Sequence, residues 1–281
     1  MAFLDLGGDT ALFYDYAQPV GGKATLVFVN SMSASTPVWE TTIAPMLRSA
    51  GFGTLSFDYR GQGQTKYGSQ ATLEPAEIIA DIGQVISQIA PPRPILVGLS
   101  IGGLFAMRAV LAGTRAAGLV LINTLRKPGA MVDWIIELEG RLIERGGMPL
   151  LMDVLRPMLA SKEELARLRP TSLPQSYTPW PKDHPRHRLG AGVRFADWNV
   201  PYEQLTLPTL VLTGMHDRLF RVQHDVDELV GRLPDAQVVV FEDAGHALHE
   251  ERTDRFVAEI SKFGDEITAA EPVSQGRAAH G

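Results

Sequence analysis

The sequence contains no cysteine among its 281 residues and has no excess of basic residues. Without cysteine, no disulfide, thiolate metal site or cysteine nucleophile can form, so covalent chemistry must use another side chain. Lys and Arg number 26 against 32 Asp and Glu, a formal net charge of −6. Such a balance gives no basic field for phosphates or anionic lipids. Nucleic acid is therefore not an expected partner.

Long apolar runs are also missing, since none approaches the ~20 residues that span a bilayer. Residues 1–7 lack the basic segment and apolar stretch of a secretion signal. We therefore expect no membrane partner and a cytoplasmic protein, with which the absence of cysteine is consistent. A hydrophobic share of 45% and a charged share of 21% are typical of a folded globular chain. The length favours one domain that carries an insertion.

Short β-rich runs alternate with helical patterns, which predicts a mostly parallel sheet with helices on both faces. Two N-terminal runs, residues 2–6 and 12–16, predict an antiparallel hairpin at the sheet edge. Continuous apolar runs predict strands buried on both faces at residues 24–30, 53–58, 94–98, 118–123, 209–213 and 237–241. Helices are predicted between these strands at residues 37–50, 75–89, 102–112, 223–233 and 253–263.

About eighty residues separate the strands at 118–123 and 209–213, far more than an ordinary connection. Residues 125–206 are therefore predicted to form an inserted lid on a core of residues 1–124 and 207–266. Helical periodicity covers 131–145, 148–159 and 161–168, whereas 170–188 carries five prolines and is predicted to be irregular. Residues 267–281, rich in small residues and proline, are expected to form a frayed tail.

The motif that carries chemistry is G-x-S-x-G, formed by Gly98, Ser100 and Gly102 with one residue between each pair. It follows a predicted strand and precedes a predicted helix, the context of a nucleophile elbow. The turn holds the serine in a strained conformation, and the glycines let strand and helix approach closely. Backbone N–H groups at the helix start lie beside the oxygen that becomes negative during acyl transfer. We therefore predict Ser100 as the nucleophile.

A serine hydroxyl needs a base that takes its proton and a carboxylate that orients the base. His246 follows the last predicted strand, and Asp217 follows the strand at 209–213. Parallel strands deliver these loops to one edge of the sheet, where Ser100 also lies. We predict a Ser100–His246–Asp217 triad, with Asp243 as the alternative acid. The other six histidines are expected to be structural or solvated.

The loop after the first buried strand should supply the second N–H donor for the oxyanion. Asn30, Ser31 and Met32 occupy this loop. We assign the donors to the backbone N–H groups of Met32 and Ile101. The side chains of Asn30 and Ser31 are expected to support the loop, and we also consider them as substrate contacts.

Two other features have structural interpretations. Trp39 is predicted to pack within the first helix of the fold. Asp58 and Arg60, in the turn-rich loop after the strand at 53–58, are predicted to hold loops together.

Four stretches together resemble the α/β-hydrolase superfamily: the Gly-Leu-Ser-Ile-Gly-Gly segment at 98–103, Asp-Tyr-Arg-Gly-Gln-Gly at 58–63, Thr-Gly-Met-His-Asp at 213–217 and Ala-Gly-His at 244–246. Asn-Ser-Met at 30–32 and the segment at 119–129 look like the 3-oxoadipate enol-lactonase and small esterase branch. The resemblance implies an eight-stranded, mostly parallel α/β-hydrolase fold with a helical lid after strand 6. It also implies hydrolysis by a catalytic triad.

The leading functional hypothesis is hydrolysis of a small-molecule carboxylic ester or lactone by a monomer or homodimer that needs no cofactor or metal. Alternatives left open are hydrolysis of a carbon–carbon bond in a β-diketone or ring-fission product, cofactor-free perhydrolysis, and a slow ligand sensor. Trp134 in the lid and Arg126, with Lys127 beside it, are candidate substrate-binding residues. The two basic residues could pair with a substrate carboxylate, although solvated surface charge is the simpler interpretation.

Overall fold

The computed structural model describes residues 1–69, 71–124 and 127–270, and within them the centre of the molecule is an eight-stranded sheet. The strands are β1 (Ala2–Gly7), β2 (Thr10–Ala17), β3 (Thr25–Val29), β4 (Gly53–Phe57), β5 (Pro94–Leu99), β6 (Gly118–Ile122), β7 (Thr209–Gly214) and β8 (Ala236–Phe241). Their spatial order is β1-β2-β4-β3-β5-β6-β7-β8. β1 and β2 form an antiparallel hairpin, β2 pairs antiparallel with β4, and the other pairs are parallel. The predicted edge hairpin and mostly parallel sheet are confirmed.

The helices between the strands are α1 (Pro37–Glu40), α2 (Ile43–Ser49), α3 (Pro75–Ile89), α4 (Ile101–Leu111), α5 (Ala130–Leu159), α6 (Lys162–Leu168), α7 (Pro185–Val193) and α8 (Gln223–Arg232), and after the last strand come α9 (Leu248–Glu251) and α10 (Thr253–Ala269). Alternate residues of β3 enter two separate cores. Val27 and Val29 pack in the core that contains α3 and α4, whereas Leu26 and Phe28 pack in the core with α2 and α10. Helices therefore cover both faces of the sheet, as the apolar strand sequences predict.

Three sequence predictions about these elements were wrong. The last strand is not buried on both faces, because β8 lies at the sheet edge and exposes Val238. The helix predicted at 37–50 divides into α1 and α2, where Thr42 has non-helical torsions and Thr41 Oγ1 bonds the Pro37 carbonyl at 2.7 Å. Residues 267–269, predicted to belong to a frayed tail, are instead part of α10, and Ile267 is buried there. Residues 271–281 lie outside the described residues.

The lid contributes α5, α6 and α7 between β6 and β7. α5 is broken at Gly146 and Gly147, which confirms two helical segments where the sequence predicts two helices. Gly147 has φ +64°, and a Cβ there would lie 2.6 Å from Trp180 Nε1. The prediction that residues 170–188 are irregular was wrong for the last residues of this segment, where α7 begins. Pro185 occupies the first turn of α7, a position that suits proline, and the His184 side chain caps the helix.

In the part of the chain that the structure describes, no helix combines the length and apolarity needed to cross a bilayer.

Candidate active site

Ser100 lies between β5 and α4, where the chain turns sharply from strand to helix. Its φ of 56° and ψ of −122° are in a region that non-glycine residues rarely adopt. Such torsions persist only where surrounding structure enforces them. Here the Ser100 N–H donates to the Ile122 carbonyl at 2.8 Å, which ties the turn to β6. The predicted nucleophile elbow is thus present in the backbone.

Gly98 and Gly102 of the motif are required because other backbone atoms lie very close to them. A Cβ on Gly98 would lie 2.5 Å from the Gly103 Cα, and one on Gly102 would lie 2.2 Å from the Val29 carbonyl oxygen. Both distances are shorter than any real carbon contact. The strand and the helix can therefore meet behind Ser100 only if these side chains are absent.

Asp217 and His246 are brought together from the loops after β7 and β8. Asp217 Oδ2 lies 2.6 Å from His246 Nδ1. Its other oxygen, Oδ1, accepts from the backbone N–H groups of Leu219 at 3.2 Å and Phe220 at 2.9 Å. Asp217 is only 2% exposed. The carboxylate therefore fixes the ring orientation and leaves the second ring nitrogen, Nε2, for the serine side.

The alternative acid, Asp243, does not contact the histidine ring. Its carboxylate is half-exposed and pairs with Arg252 Nε at 2.5 Å. The Arg252 guanidinium lowers the pKa of Asp243 below its usual value. Asp243 therefore serves a surface ion pair.

Ser100 and His246 line the same cavity, between the catalytic edge of the sheet and the lid. No hydrogen bond joins Ser100 Oγ to the imidazole in the described residues. Such contacts are often long before substrate binds and tighten in the complex. The proton transfer from Ser100 to His246 therefore stays a prediction.

The loop that carries His246 is hydrogen-bonded directly to the lid. The His246 N–H donates to the Leu159 carbonyl at 2.6 Å. The Glu251 carboxylate bridges the two parts, because it accepts from the Gly245 N–H at 3.0 Å and from the Ser161 N–H at 3.1 Å. The end of α5 is thus part of the framework that positions His246.

Asn123, directly after β6, links the acid loop to the histidine loop. Its Nδ2 donates to the carbonyls of Gly245 at 3.0 Å and His246 at 2.7 Å, and its Oδ1 accepts from the Gly214 N–H at 2.8 Å. The sequence analysis missed this role. The bonded partners lie 91 to 123 positions further along the chain, so no local pattern could reveal them.

The two predicted oxyanion donors, Met32 and Ile101, also line the cavity. Ile101 opens α4, where a helix N-terminus leaves N–H groups without an intrahelical acceptor. Among the described residues, neither the Met32 N–H nor the Ile101 N–H donates to a protein acceptor. Both groups are available for an oxygen in the cavity.

Asn30 supports the oxyanion loop, and its consideration as a substrate contact was wrong. It is fully buried. Its Nδ2 donates to the Phe57 carbonyl at 2.9 Å, and its Oδ1 accepts from Trp39 Nε1 at 2.7 Å. All its polar atoms are therefore engaged below the site. Ser31 does line the cavity, so its contact with substrate remains a prediction.

Gln62 is a further support that the sequence did not reveal. Its Nε2 donates to the carbonyls of Ser31 at 2.8 Å and Met32 at 3.3 Å. It belongs to the turn-rich loop at 58–63, whose other polar residues also hold loops as predicted. Asp58 accepts from the Thr36 N–H at 2.7 Å, and Arg60 pairs with Asp81 through two bonds of 2.7 Å. Burial raises the pKa of both carboxyl groups, Asp58 and Asp81.

His249 is the one other histidine in the cavity wall, within the part of the chain that the structure describes. It is buried beside the Trp39 and Phe256 rings, with centroids 5.2 and 6.0 Å away, and neither ring nitrogen has a described partner. Burial lowers its pKa to about 3, and the nearby His246 adds to this. His249 is therefore uncharged at neutral pH. Trp39 itself is fully buried and stacks on Phe28, which confirms its predicted packing role.

The cavity has a volume of about 460 Å³, within the range of small-molecule sites. Its walls are mainly apolar and come from the lid and the oxyanion loop: Met32, Ala34, Val38, Val132, Ile135, Ile136, Met148, Leu151, Met152, Leu155, Leu159, Val193 and Trp198. Polar groups are few and include the Arg186–Glu139 ion pair. The cavity suits a largely apolar molecule of medium size.

The predicted lid contacts have different outcomes. Trp134 was a wrong candidate: it is 75% exposed and does not line the cavity, because it lies on the outward side of α5. Arg126 lies outside the described residues. Lys127 is exposed and is not among the residues that line the cavity.

In the described ranges, one group of side chains could share a cation: His224, Asp225 and Glu228 on α8, whose ligand atoms lie within 4.8 Å of one another. None of them lines the cavity that contains Ser100. Glu228 also pairs with Arg232 at 3.5 Å. Asp225 lines a separate small cavity together with Asp217, on the side of α8.

Comparison with known proteins places this geometry in context. Residues 26–259 match the model of the "Alpha/beta hydrolase family". The chain is 28% identical over 214 residues to a protein of Variovorax paradoxus named as a carbamate hydrolase, RutD, covering 74% of this chain and 79% of that protein. It is 26% identical over 268 residues to a pimeloyl-[acyl-carrier protein] methyl ester esterase of Aliivibrio fischeri. The matched residues cover 88% of this chain and 96% of that protein.

Among solved structures, the enol-lactonase of Burkholderia xenovorans superposes with a TM-score of 0.75 at 22% identity, covering 93% of this chain and 99% of that one. This similarity shows a common fold. The family model matches most of the chain, including the segments that carry Ser100, Asp217 and His246. The chain therefore belongs to the alpha/beta hydrolase family.

Proposed function

We propose that this protein is a serine hydrolase that cleaves a carboxylic ester or lactone through an acyl-enzyme on Ser100. The observation that carries the proposal is the 2.6 Å contact between Asp217 Oδ2 and His246 Nδ1, with His246 and Ser100 in the wall of one cavity. The names of two similar proteins, a methyl ester esterase and an enol-lactonase, support ester-bond chemistry.

The proposed reaction begins when His246 Nε2 takes the proton of Ser100 Oγ and the oxygen attacks the substrate carbonyl. Asp217 holds the imidazole in the tautomer that accepts this proton and stabilises the imidazolium that forms. The N–H groups of Met32 and Ile101 bind the negative oxygen of the tetrahedral intermediate. The alcohol leaves with the proton from His246, and water, deprotonated by His246, releases the acid.

The mostly apolar cavity favours a medium-sized acyl or alcohol group over a strongly charged one. The proposal also includes the expectations drawn from the sequence: a cytoplasmic enzyme, monomeric or homodimeric, that uses no cofactor.

The Ser100→Ala variant tests the role of the nucleophile. We expect kcat on 4-nitrophenyl esters to fall by about 10⁴-fold or more, because removal of a triad member leaves only binding and the oxyanion donors. Ser49→Ala is the control, since Ser49 is an exposed serine of α2 that does not line the cavity. Retention of most of the turnover by Ser100→Ala would refute the assignment.

A panel of aryl esters, lactones and β-diketones, each with and without hydrogen peroxide, tests the reaction type. We expect turnover of esters and lactones and none of diketones. Diketone cleavage without ester turnover would support carbon–carbon hydrolysis instead. Labelling of Ser100 by a fluorophosphonate with about one turnover per molecule would support a ligand sensor.

A further inference from the structure

Arg186 is a buried charged side chain in the wall of the apolar cavity. It is 8% exposed and lies on α7 of the lid, in the first turn after Pro185. It lines the cavity together with Ser100, His246 and Glu139. A guanidinium group keeps its charge in any protein environment and carries five N–H donors. A group of this kind inside an apolar wall requires acceptors.

The described residues satisfy only part of this requirement. Arg186 Nη2 pairs with Glu139 Oε1 and lies 3.5 Å from Ser33 Oγ. Nε and Nη1 are buried and have no hydrogen-bond partner among the described residues. Buried donors are normally paired, so these N–H groups identify a place where an acceptor oxygen would be favoured.

The position of Arg186 relates this donor to the reaction. Ser33 directly follows Met32, whose N–H is the proposed oxyanion donor. The contact with Ser33 therefore places the guanidinium next to the oxyanion loop. A substrate whose reacting carbonyl lies against Met32 and Ile101 would have its neighbouring atoms within reach of Arg186.

The charges around Arg186 determine which kind of oxygen fits. Glu139 already compensates the guanidinium, and Glu250 is a second carboxyl group in the cavity wall. His249, which also lines the cavity, is uncharged and adds no positive charge. A substrate carboxylate would face Glu139 at close range, and like charges at close range repel. A neutral oxygen would meet no such repulsion.

We propose that Arg186 donates a hydrogen bond to a neutral oxygen of the substrate, a ketone, hydroxyl or amide oxygen close to the bond that is cleaved. The substrate class is then an ester or lactone that carries a second, uncharged oxygen function on an otherwise apolar chain. This inference rests on the proposed ester hydrolysis and adds selectivity to it.

The test compares 4-nitrophenyl hexanoate with the 3-oxo and 5-oxo derivatives of the same ester and with the 4-nitrophenyl monoester of glutaric acid. For the wild-type enzyme we expect kcat/KM to be at least about tenfold higher for one of the oxo esters than for hexanoate, the effect of one added hydrogen bond to a charged group. The glutarate monoester should be the poorest substrate. Equal values for hexanoate and both oxo esters, or a preference for the glutarate monoester, would overturn the proposal.

Two variants assign the preference to Arg186. The double variant Arg186→Met with Glu139→Gln removes the guanidinium without leaving a buried unpaired carboxylate, and the ratio of oxo ester to hexanoate should fall to about one. Arg188→Met, an exposed arginine on the same helix, should keep the wild-type ratio. Because each ratio is measured within one enzyme, a general loss of activity cancels. An unchanged ratio in the double variant would refute the role of Arg186.

The outcome is separable from that of the proposed function. If wild-type enzyme hydrolyses hexanoate and Ser100→Ala does not, ester hydrolysis holds whatever the ratio is. A ratio of one then refutes the Arg186 proposal alone.

Discussion

Asn123 shows how one buried amide can set the geometry of a triad whose members come from distant parts of the chain. Its three hydrogen bonds join Gly214, the last residue of β7 before the loop of Asp217, to the backbone of Gly245 and His246. Asp217 lies three residues after Gly214. The relative position of acid and base therefore depends on Asn123, although its side chain contacts neither reacting atom.

Asn123→Asp should reduce kcat by about 10- to 100-fold with little change in KM, because a carboxylate keeps the Gly214 bond but cannot donate to the two carbonyls. Displacement of a catalytic group by about 1 Å can lower the reaction rate by a factor of this size. Steady-state kinetics across pH is the measurement. Asn199→Asp, at an exposed asparagine, is the control. An equal change in KM with normal kcat would contradict the positioning role.

His249 provides a second prediction at the scale of one residue, a pH dependence of stability. The unfolded chain takes up a proton at His249 near pH 6.5, whereas the folded chain does so only near pH 3. Between these values the unfolded state binds more protons, so stability falls as pH falls, by up to about 1.4 kcal/mol per pH unit.

His249→Leu should remove this contribution, so urea unfolding of the variant between pH 6 and pH 4 should lose less stability than unfolding of the wild type. His224→Leu, at an exposed histidine, is the comparison. Parallel stability profiles for wild type and His249→Leu would show that His249 does not titrate as proposed.

At the scale of elements, the break in α5 separates the lid into two parts with different attachments. The second part ends at Leu159, whose carbonyl accepts from the His246 N–H, and Met158 accepts from the Arg218 N–H at 2.8 Å. The first part contributes residues of the cavity wall, such as Val132 and Ile135. Gly147 makes the change of direction possible because its φ of +64° suits glycine.

Gly147→Ala should destabilise the protein by about 1–3 kcal/mol, since the new Cβ would be strained and would clash with Trp180. Gly140→Ala in the same helix has open space around its Cβ and should stabilise by up to about 1 kcal/mol. Equilibrium denaturation measures both. Equal effects of the two substitutions would mean that the break does not depend on the glycine conformation.

The elements that the sequence predicts well are those specified by local patterns. The turn at Ser100 needs only a strand, two glycines and a helix start, all of which are adjacent in the chain. The break at Gly146 and Gly147 likewise interrupts a clear helical period. The predictions that failed concern the place of a strand in the sheet or the direction of a side chain in the lid. The exposure of β8 depends on which strand occupies the edge, and the outward direction of Trp134 depends on how α5 packs.

The residues of the candidate site also fall into a group that local sequence patterns predict and a group that they do not. Ser100, His246 and Asp217 follow from motifs at strand ends, because a parallel sheet brings those ends to one edge. The groups that hold or complement them, Asn123 and Arg186, act through contacts with residues up to 153 positions away. Such contacts exist only in the folded chain.

For the whole molecule, we propose that the core supplies the chemistry and the lid supplies selectivity. The sheet brings the proposed nucleophile, base, acid and oxyanion donors to one edge. The lid supplies Arg186, Glu139 and much of the apolar wall. Changes in the lid should therefore alter which molecules react, whereas changes at the sheet edge should alter whether any reaction occurs.

The most direct test of the central claim is the reaction of the wild-type enzyme with a fluorophosphonate, followed by peptide mass analysis and an esterase assay of the same samples. We predict a single phosphonylated residue, Ser100, and a loss of activity equal to the fraction of Ser100 modified. Modification of a different residue, or full activity after Ser100 is completely labelled, would contradict the assignment of Ser100 as the nucleophile.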